Sequence, residues 1–224
     1  MDRPQVGKTA LDTDELIESL VARHRAVDVA WIERWAFFMV AIGCGAAIGL
    51  VAMTIGFRGD LMSALESGRI VAKYVFMLTS LVIAGHLFVQ MARPGRLLAD
   101  QAIVYALPIG IILFAIIVQL ALMGSPTRSI MLGDAGNWLA CIIIVPILAI
   151  VPFAGLMLIL RRCAPTDLRG AGFAAGVFAA TIGANIYAAH CPCDMPTFVG
   201  VWYPLAFIFG GIVGSFFAPR LARW

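Results

Sequence analysis

The chain has 224 residues, 62% of them hydrophobic and 13% charged, with a mean hydropathy of +0.95. Water-soluble domains are about 45–50% apolar and about 25% charged, so an ordinary soluble domain is excluded, and so is general disorder, which needs low hydrophobicity and high charge. A net charge of +3 is too mild for a nucleic-acid surface, and an odd count of five cysteines excludes a fully paired disulfide framework.

Residues 1–34 form a polar tail with no signal-peptide pattern at its start. Asp12 or Thr13 can cap a helix, with Glu15 placed as in a capping box. Leu16, Ile17, Leu20 and Val21 then recur at helical spacing, opposite Asp14, Glu18 and Arg23. A short amphipathic helix is expected here. Its acidic first half would be repelled by anionic lipid. Its apolar face is therefore expected to fill a groove in a soluble protein partner rather than to lie on the membrane.

Six apolar runs follow, each long enough to cross about 30 Å of hydrocarbon as a helix. They are Trp35–Phe57, Val71–Met91, Gln101–Met123, Asn137–Leu160, Gly170–His190 and Phe198–Ala218. They are continuous rather than alternating, which argues against a membrane β-barrel. The expected fold is all-α: a polytopic membrane protein with a six-helix bundle over 35–218, the tail before it, and a short tail at 219–224. Turn signals separate the runs at Arg93-Pro94-Gly95-Arg96, Gly124-Ser125-Pro126 and Pro165-Thr166-Asp167. The Arg58–Ile70 link has an amphipathic stretch (Leu61, Met62, Leu65) suited to the membrane surface.

Basic residues orient the bundle. Arg3, Lys8, Arg23, Arg25, Arg34, Arg93, Arg96, Arg161, Arg162, Arg169, Arg220 and Arg223 share the side of the tail, against Arg58, Arg69, Lys73 and Arg128 on the other. The positive-inside rule then puts both termini in the cytoplasm of a bacterial inner membrane. Trp35, Trp138, Trp202 and Tyr203 stand near span ends, as interfacial aromatics do.

Small residues recur every fourth position at Gly172, Gly176, Ala180, Ala184 and Ala188, at Gly210, Gly214 and Ala218, and at Ala41, Gly45 and Gly49. Such stripes let helices approach closely in lipid. Packing within the bundle is the simpler use, and a homodimer face the sharper one.

No acid lies deep within a span, which disfavours a transporter or proton pump. His86, Gln90, Gln119 and Asn185 are expected to be packed and hydrogen-bonded, and Pro108, Pro146 and Pro152 to be tolerated within their helices. No nucleotide loop or hydrolase motif occurs, so no enzyme activity is expected. Cys44 reads as an apolar filler, and Cys163 faces the reducing cytoplasm. Cys141, Cys191 and Cys193 fall on the outer side, the last two within His190-Cys191-Pro192-Cys193-Asp194. Neighbouring spans bring Cys141 and Cys191 to similar depth, compatible with a disulfide. A soft-metal site for Zn, Cd or Cu from Cys141, Cys191, Cys193 and His190 is a second reading, and inert buried thiols a third. No cofactor is required.

The tail Thr13-Asp14-Glu15-Leu16-Ile17-Glu18-Ser19-Leu20 followed by six spans resembles the NrsF-like family of integral-membrane anti-sigma factors. The likeness is strongest in Arg161-Arg162-Cys163-Ala164-Pro165-Thr166-Asp167, Tyr187-Ala188-Ala189-His190-Cys191-Pro192 and Phe198-Val199-Gly200-Val201-Trp202-Tyr203. The resemblance implies that Leu16, Ile17, Leu20 and Val21 hold an extracytoplasmic-function sigma factor inactive. It also implies that two periplasmic cysteines, matching Cys141 and Cys191, sense heavy-metal or oxidative stress. The family usually carries an acidic residue after His-Cys-Pro, whereas this chain has Cys193. That extra thiol would compete in disulfide pairing or strengthen metal binding. Membrane lipid and a sigma factor are the expected partners, with no direct contact to nucleic acid. The rival readings are a membrane thiol oxidoreductase, which would want a reactive Cys-x-x-Cys, and a small-solute or metal transporter.

Overall fold

The computed structural model describes residues 17–19, 21–22, 29–60, 66, 68–101, 110, 117–118, 121–122 and 135–222. Among them are five helices long and apolar enough to cross a membrane. We number them α1 (Val29–Thr54), α2 (Gly68–Met91), α3 (Ala135–Cys163), α4 (Leu168–Tyr187) and α5 (Pro196–Leu221). Each coincides with a predicted span. Most of the predicted third span, Gln101–Met123, lies outside the described residues, as does the predicted amphipathic stretch of the Arg58–Ile70 link (Leu61, Met62, Leu65). α2 ends where α4 begins, because Met91 and Leu98 both touch Gly170. α3 begins at the opposite end, where Trp138 meets Trp202.

The helices overrun the apolar windows because local chemistry, not hydropathy, sets their ends. α1 starts at Val29 and takes in Glu33 and Arg34. α4 starts earlier than its apolar run because Asp167 caps it, its carboxylate accepting from Gly170 N at 2.8 Å. α5 starts at Pro196, whose fixed φ and missing N–H suit a first helical position. It continues to Leu221, past the boundary at 219. Gly56, with φ +69, closes α1 by donating its N–H to Val51 O at 2.7 Å.

α4 is the axis of the bundle. It is mostly buried, while the other four keep broad outward faces such as Phe37, Ile42, Leu78, Ile150 and Phe216. Such faces suit lipid contact. The small-residue stripes explain how α4 reaches this position. A Cβ added at Gly176 or Gly214 would run into the backbone of the facing helix, and one at Gly210 would stand 2.8 Å from Ala180 Cβ. The stripes of α4 and α5 are thus spent on each other. On its other side α4 meets α3, where a Cβ at Gly183 would lie 2.7 Å from Val145 O. Pro152 of α3 packs on Gly43 of α1 in the same way.

Several polar groups within the described spans are paired. Asn185 Nδ2 donates to Met77 O of α2 at 3.1 Å and to Thr181 O at 2.8 Å. His86 and Gln90 meet one turn apart on α2 at 3.2 Å. At the Asp167 end, Leu98 N donates to Asp167, Gly95 N to Thr166, and the Arg162 guanidinium stands 5.9 Å from the Trp31 ring. Cys163 is buried at the close of α3, and Cys44 packs half-buried against the core.

Candidate functional site

The end of the bundle opposite Asp167 collects most of the chemistry-bearing residues. The start of α3 brings Cys141, and the turn from Ala188 to Met195 between α4 and α5 brings His190, Cys191, Cys193 and Asp194. Cys141 and Cys191 are both buried, and each is within electrostatic reach of the other. None of the five cysteines is in a disulfide. Tyr187 and Tyr203 flank the same two sulfurs. Trp138, one turn before Cys141 on α3, stacks on Trp202 of α5 at the same end, centroids 5.0 Å apart and planes 13° from parallel.

His190 does not join the thiols. Its Nδ1–H donates to Gly56 O at 2.8 Å, and its ring lies 5.8 Å from that of Tyr187. Among the described residues, no three His, Cys, Asp or Glu side chains converge as a metal-holding group. The predicted sulfurs Cys141 and Cys191 are brought together, with Cys193 beside Cys191, while the predicted imidazole serves the loop after α1.

Three residues are placed otherwise than their sequence positions suggested. Lys73, counted among the cations of the outer segments, is buried, with a side-chain exposure of 0%. Its Nζ donates to Cys191 O at 2.8 Å and to Asp194 Oδ1 at 2.9 Å. Arg58 turns inward and donates from Nη1 to Asp194 Oδ2 at 2.7 Å, while Nε and Nη2 clasp Asp60 at 2.7 Å each. Tyr203, expected at the interface, is fully buried, and its hydroxyl finds no nitrogen or oxygen partner among the described residues. Its polar neighbour is the Cys191 thiol. The available signals were a lone lysine opening an apolar helix and an aspartate next to Cys193.

These groups set the electrostatics of the turn. The Cys191 thiol is pulled down to about 6, chiefly by its hydrogen bond with the Cys193 side chain. The Lys73 ammonium, the Cys193 backbone and the Tyr203 hydroxyl act in the same direction, against burial. Hydrogen bonding to Arg58 holds the Asp60 carboxyl below the usual carboxylate range, and Asp60 and Asp194 in turn raise Arg58. A buried thiolate next to a second thiol can take a soft metal ion or yield two electrons on oxidation.

α1, which the tail precedes in the chain, starts at the end far from these thiols, where Trp31 meets Arg162. Ile17–Ser19 and Val21–Ala22 are helical, with Ile17 51% and Val21 68% exposed. Leu16 and Leu20 lie outside the described residues.

Residues 20–224 match the family described as NrsF, negative regulator of sigma F. The chain is 30% identical over 219 residues to a probable anti-sigma-F factor NrsF of Azospira oryzae, covering 96% of this chain and all of that one. It is 31% identical over 215 residues to the anti-sigma-F factor NrsF of Caulobacter vibrioides, covering 95% and 99% of the two chains. No solved structure matches it. A family match from the tail to the last residue, with two full-length relatives, leaves one conclusion: the chain belongs to the NrsF family of negative regulators of sigma F.

Proposed function

We propose that this chain is a membrane anti-sigma factor of the bacterial inner membrane, with six spans and both termini in the cytoplasm. Its tail helix holds an extracytoplasmic-function sigma factor through Leu16, Ile17, Leu20 and Val21. Cys141 and Cys191, on the periplasmic side, sense a soft metal ion or an oxidant, and the sigma factor is released in response. The observation that carries this reading is the opposition of two specialised ends. Buried thiols share one end of the bundle, and α1, which the exposed Ile17 and Val21 precede in the chain, starts at the other end, where Trp31 meets Arg162. The excess of basic residues on the tail side favours the orientation.

The chemistry at the thiols supplies the free energy. Moving a two-state equilibrium from mostly holding to mostly released takes about 5.5 kcal/mol of differential binding. Thiolate–metal bonds reach this scale. So does disulfide formation, in which the Cys191 thiolate and the Cys141 thiol pass two electrons to an external oxidant and release the one thiol proton. Metal would be met by Cys141 and Cys191, since no third His, Cys, Asp or Glu converges with them among the described residues and His190 is engaged with Gly56.

A sigma-dependent reporter in cells carrying the full chain tests both halves. Asp at positions 17 and 21 together should abolish repression. Cys141→Ser or Cys191→Ser should fix the reporter in one state whatever the stressor. Normal induction by cadmium or by a thiol oxidant in both serine variants would refute the sensing half.

A further inference from the structure

The helix that continues into the tail is α1, and its far end is bonded to the cysteine turn. Arg58 N donates to Ala189 O at 3.3 Å, and His190 Nδ1–H donates to Gly56 O at 2.8 Å. Arg58 also reaches Asp194 through its guanidinium at 2.7 Å. The other oxygen of Asp194 takes the Lys73 ammonium of α2 at 2.9 Å, and that ammonium holds the Cys191 carbonyl as well. One carboxylate thus joins the exit of α1, the start of α2 and the turn that carries Cys191 and Cys193. Lys73 has no exposure and the side chains of Arg58 and Asp194 little. A buried ammonium that loses its carboxylate is strongly disfavoured, because no water replaces the partner. The turn therefore cannot leave its seat without either dragging α1 and α2 or exposing Lys73.

We propose that Asp194, bridging Arg58 and Lys73, is a positioning residue that couples the Cys191 turn to α1 and holds the bundle in its sigma-retaining arrangement. The proposal rests on the function proposed above. Bonds made in one of two arrangements bias the equilibrium toward it, so their loss shifts the population toward the other. The route runs from the turn through Arg58 into the helix whose opposite end bears Trp31 and the tail. It requires no displacement of α3 against α4, whose close backbone contact at Gly183 resists sliding.

The test uses the full chain in its native membrane with the sigma-dependent reporter, without stressor. Asp194→Asn keeps the shape and removes the charge. It should raise the unstressed reporter about tenfold, equally with the native cysteines and with Cys141 and Cys191 both changed to serine. Asp194→Glu, which keeps the charge, should stay closer to the wild type. In case the uncompensated Lys73 lowers the amount of protein, the double variant Lys73→Met, Asp194→Asn removes both charges. It should accumulate normally and remain derepressed. Full repression by either asparagine variant at normal membrane levels would overturn the proposal, and so would derepression that vanishes without the cysteines. Failure of the sensing reading is seen separately, as a normal stress response in the chain with Cys141 and Cys191 changed to serine. A reporter already high with the wild-type chain would instead mark failure of the sigma-holding reading.

Discussion

The indole of Trp202 lies flat against that of Trp138, 5.0 Å between centroids, and so fastens the first turns of α5 and α3 together over the thiol end of the bundle. Trp138 stands one turn before Cys141 on the same helix. Stacked aromatic pairs contribute about 0.5–1.5 kcal/mol beyond the area they bury. Trp202→Ala should therefore lower the thermal stability of the detergent-purified chain and loosen the start of α3 that carries Cys141. Alkylation of Cys141 and Cys191, followed by mass spectrometry, should quicken several-fold. Unchanged alkylation rates would mean that the stack does not steady the start of α3.

The lowered pKa of Cys191 carries a definite sign. Its thiolate is populated above about pH 6 and is lost as the pH falls through that value. An ordinary thiol would go on gaining thiolate up to about pH 8.5. The alkylation rate of Cys191 should level off near neutrality and drop below pH 6. Cys193→Ala removes the largest cause and should move the inflection upward. A wild-type inflection near pH 8.5 would show that the turn does not stabilise the thiolate.

Tyr203 provides a separate check on the same pocket. Its buried hydroxyl lacks an oxygen or nitrogen partner among the described residues and bonds instead with the Cys191 sulfur, a contact worth about 0.5–1.5 kcal/mol. Tyr203→Phe should lower the unfolding temperature slightly while raising the pH of the Cys191 inflection. An unmoved inflection would mean that the hydroxyl does not reach Cys191.

Asn185 joins α4 to α2 through the Met77 carbonyl. Interhelical hydrogen bonds in membranes average about 0.6 kcal/mol and reach about 2. Asn185→Leu should lower stability by an amount in that range without altering thiol reactivity. Gly176→Leu should be far worse, because its side chain would enter the backbone of α5 at Gly210. Overpacking of this kind costs about 1–3 kcal/mol or more. Equal unfolding temperatures for the two variants would contradict the close approach.

Hydropathy alone located α1 to α5, since lipid requires long apolar helices and little else produces them. It could not locate their ends, which depend on the Asp167 side chain and on the fixed φ of Pro196. That Cys141 and Cys191 lie at the same end of the bundle was legible from connectivity, because a short link makes α3 and α4 neighbours. Lys73 and Tyr203 were not legible. A cation or a tyrosine a turn or two inside a helix end reads as an interfacial anchor. Only the long-range arrival of Asp194, 121 residues beyond Lys73, makes burial of that ammonium tolerable. His190 failed for the complementary reason: adjacency in sequence to Cys191 said nothing of the Gly56 carbonyl that holds it.

The backbone contacts of α4 have a consequence for how this chain can vary. Where a helix meets its neighbours through side chains, one enlargement can be matched by one reduction opposite. At Gly172, Gly176 and Gly183 the facing atoms include peptide carbonyls, and a carbonyl cannot be trimmed. A saturation mutagenesis survey scored by membrane accumulation should therefore trace α4 as a narrow, nearly invariant track of glycine, alanine and serine. The outward positions of α1 such as Phe37 and Ile42 should accept any residue that lipid accepts.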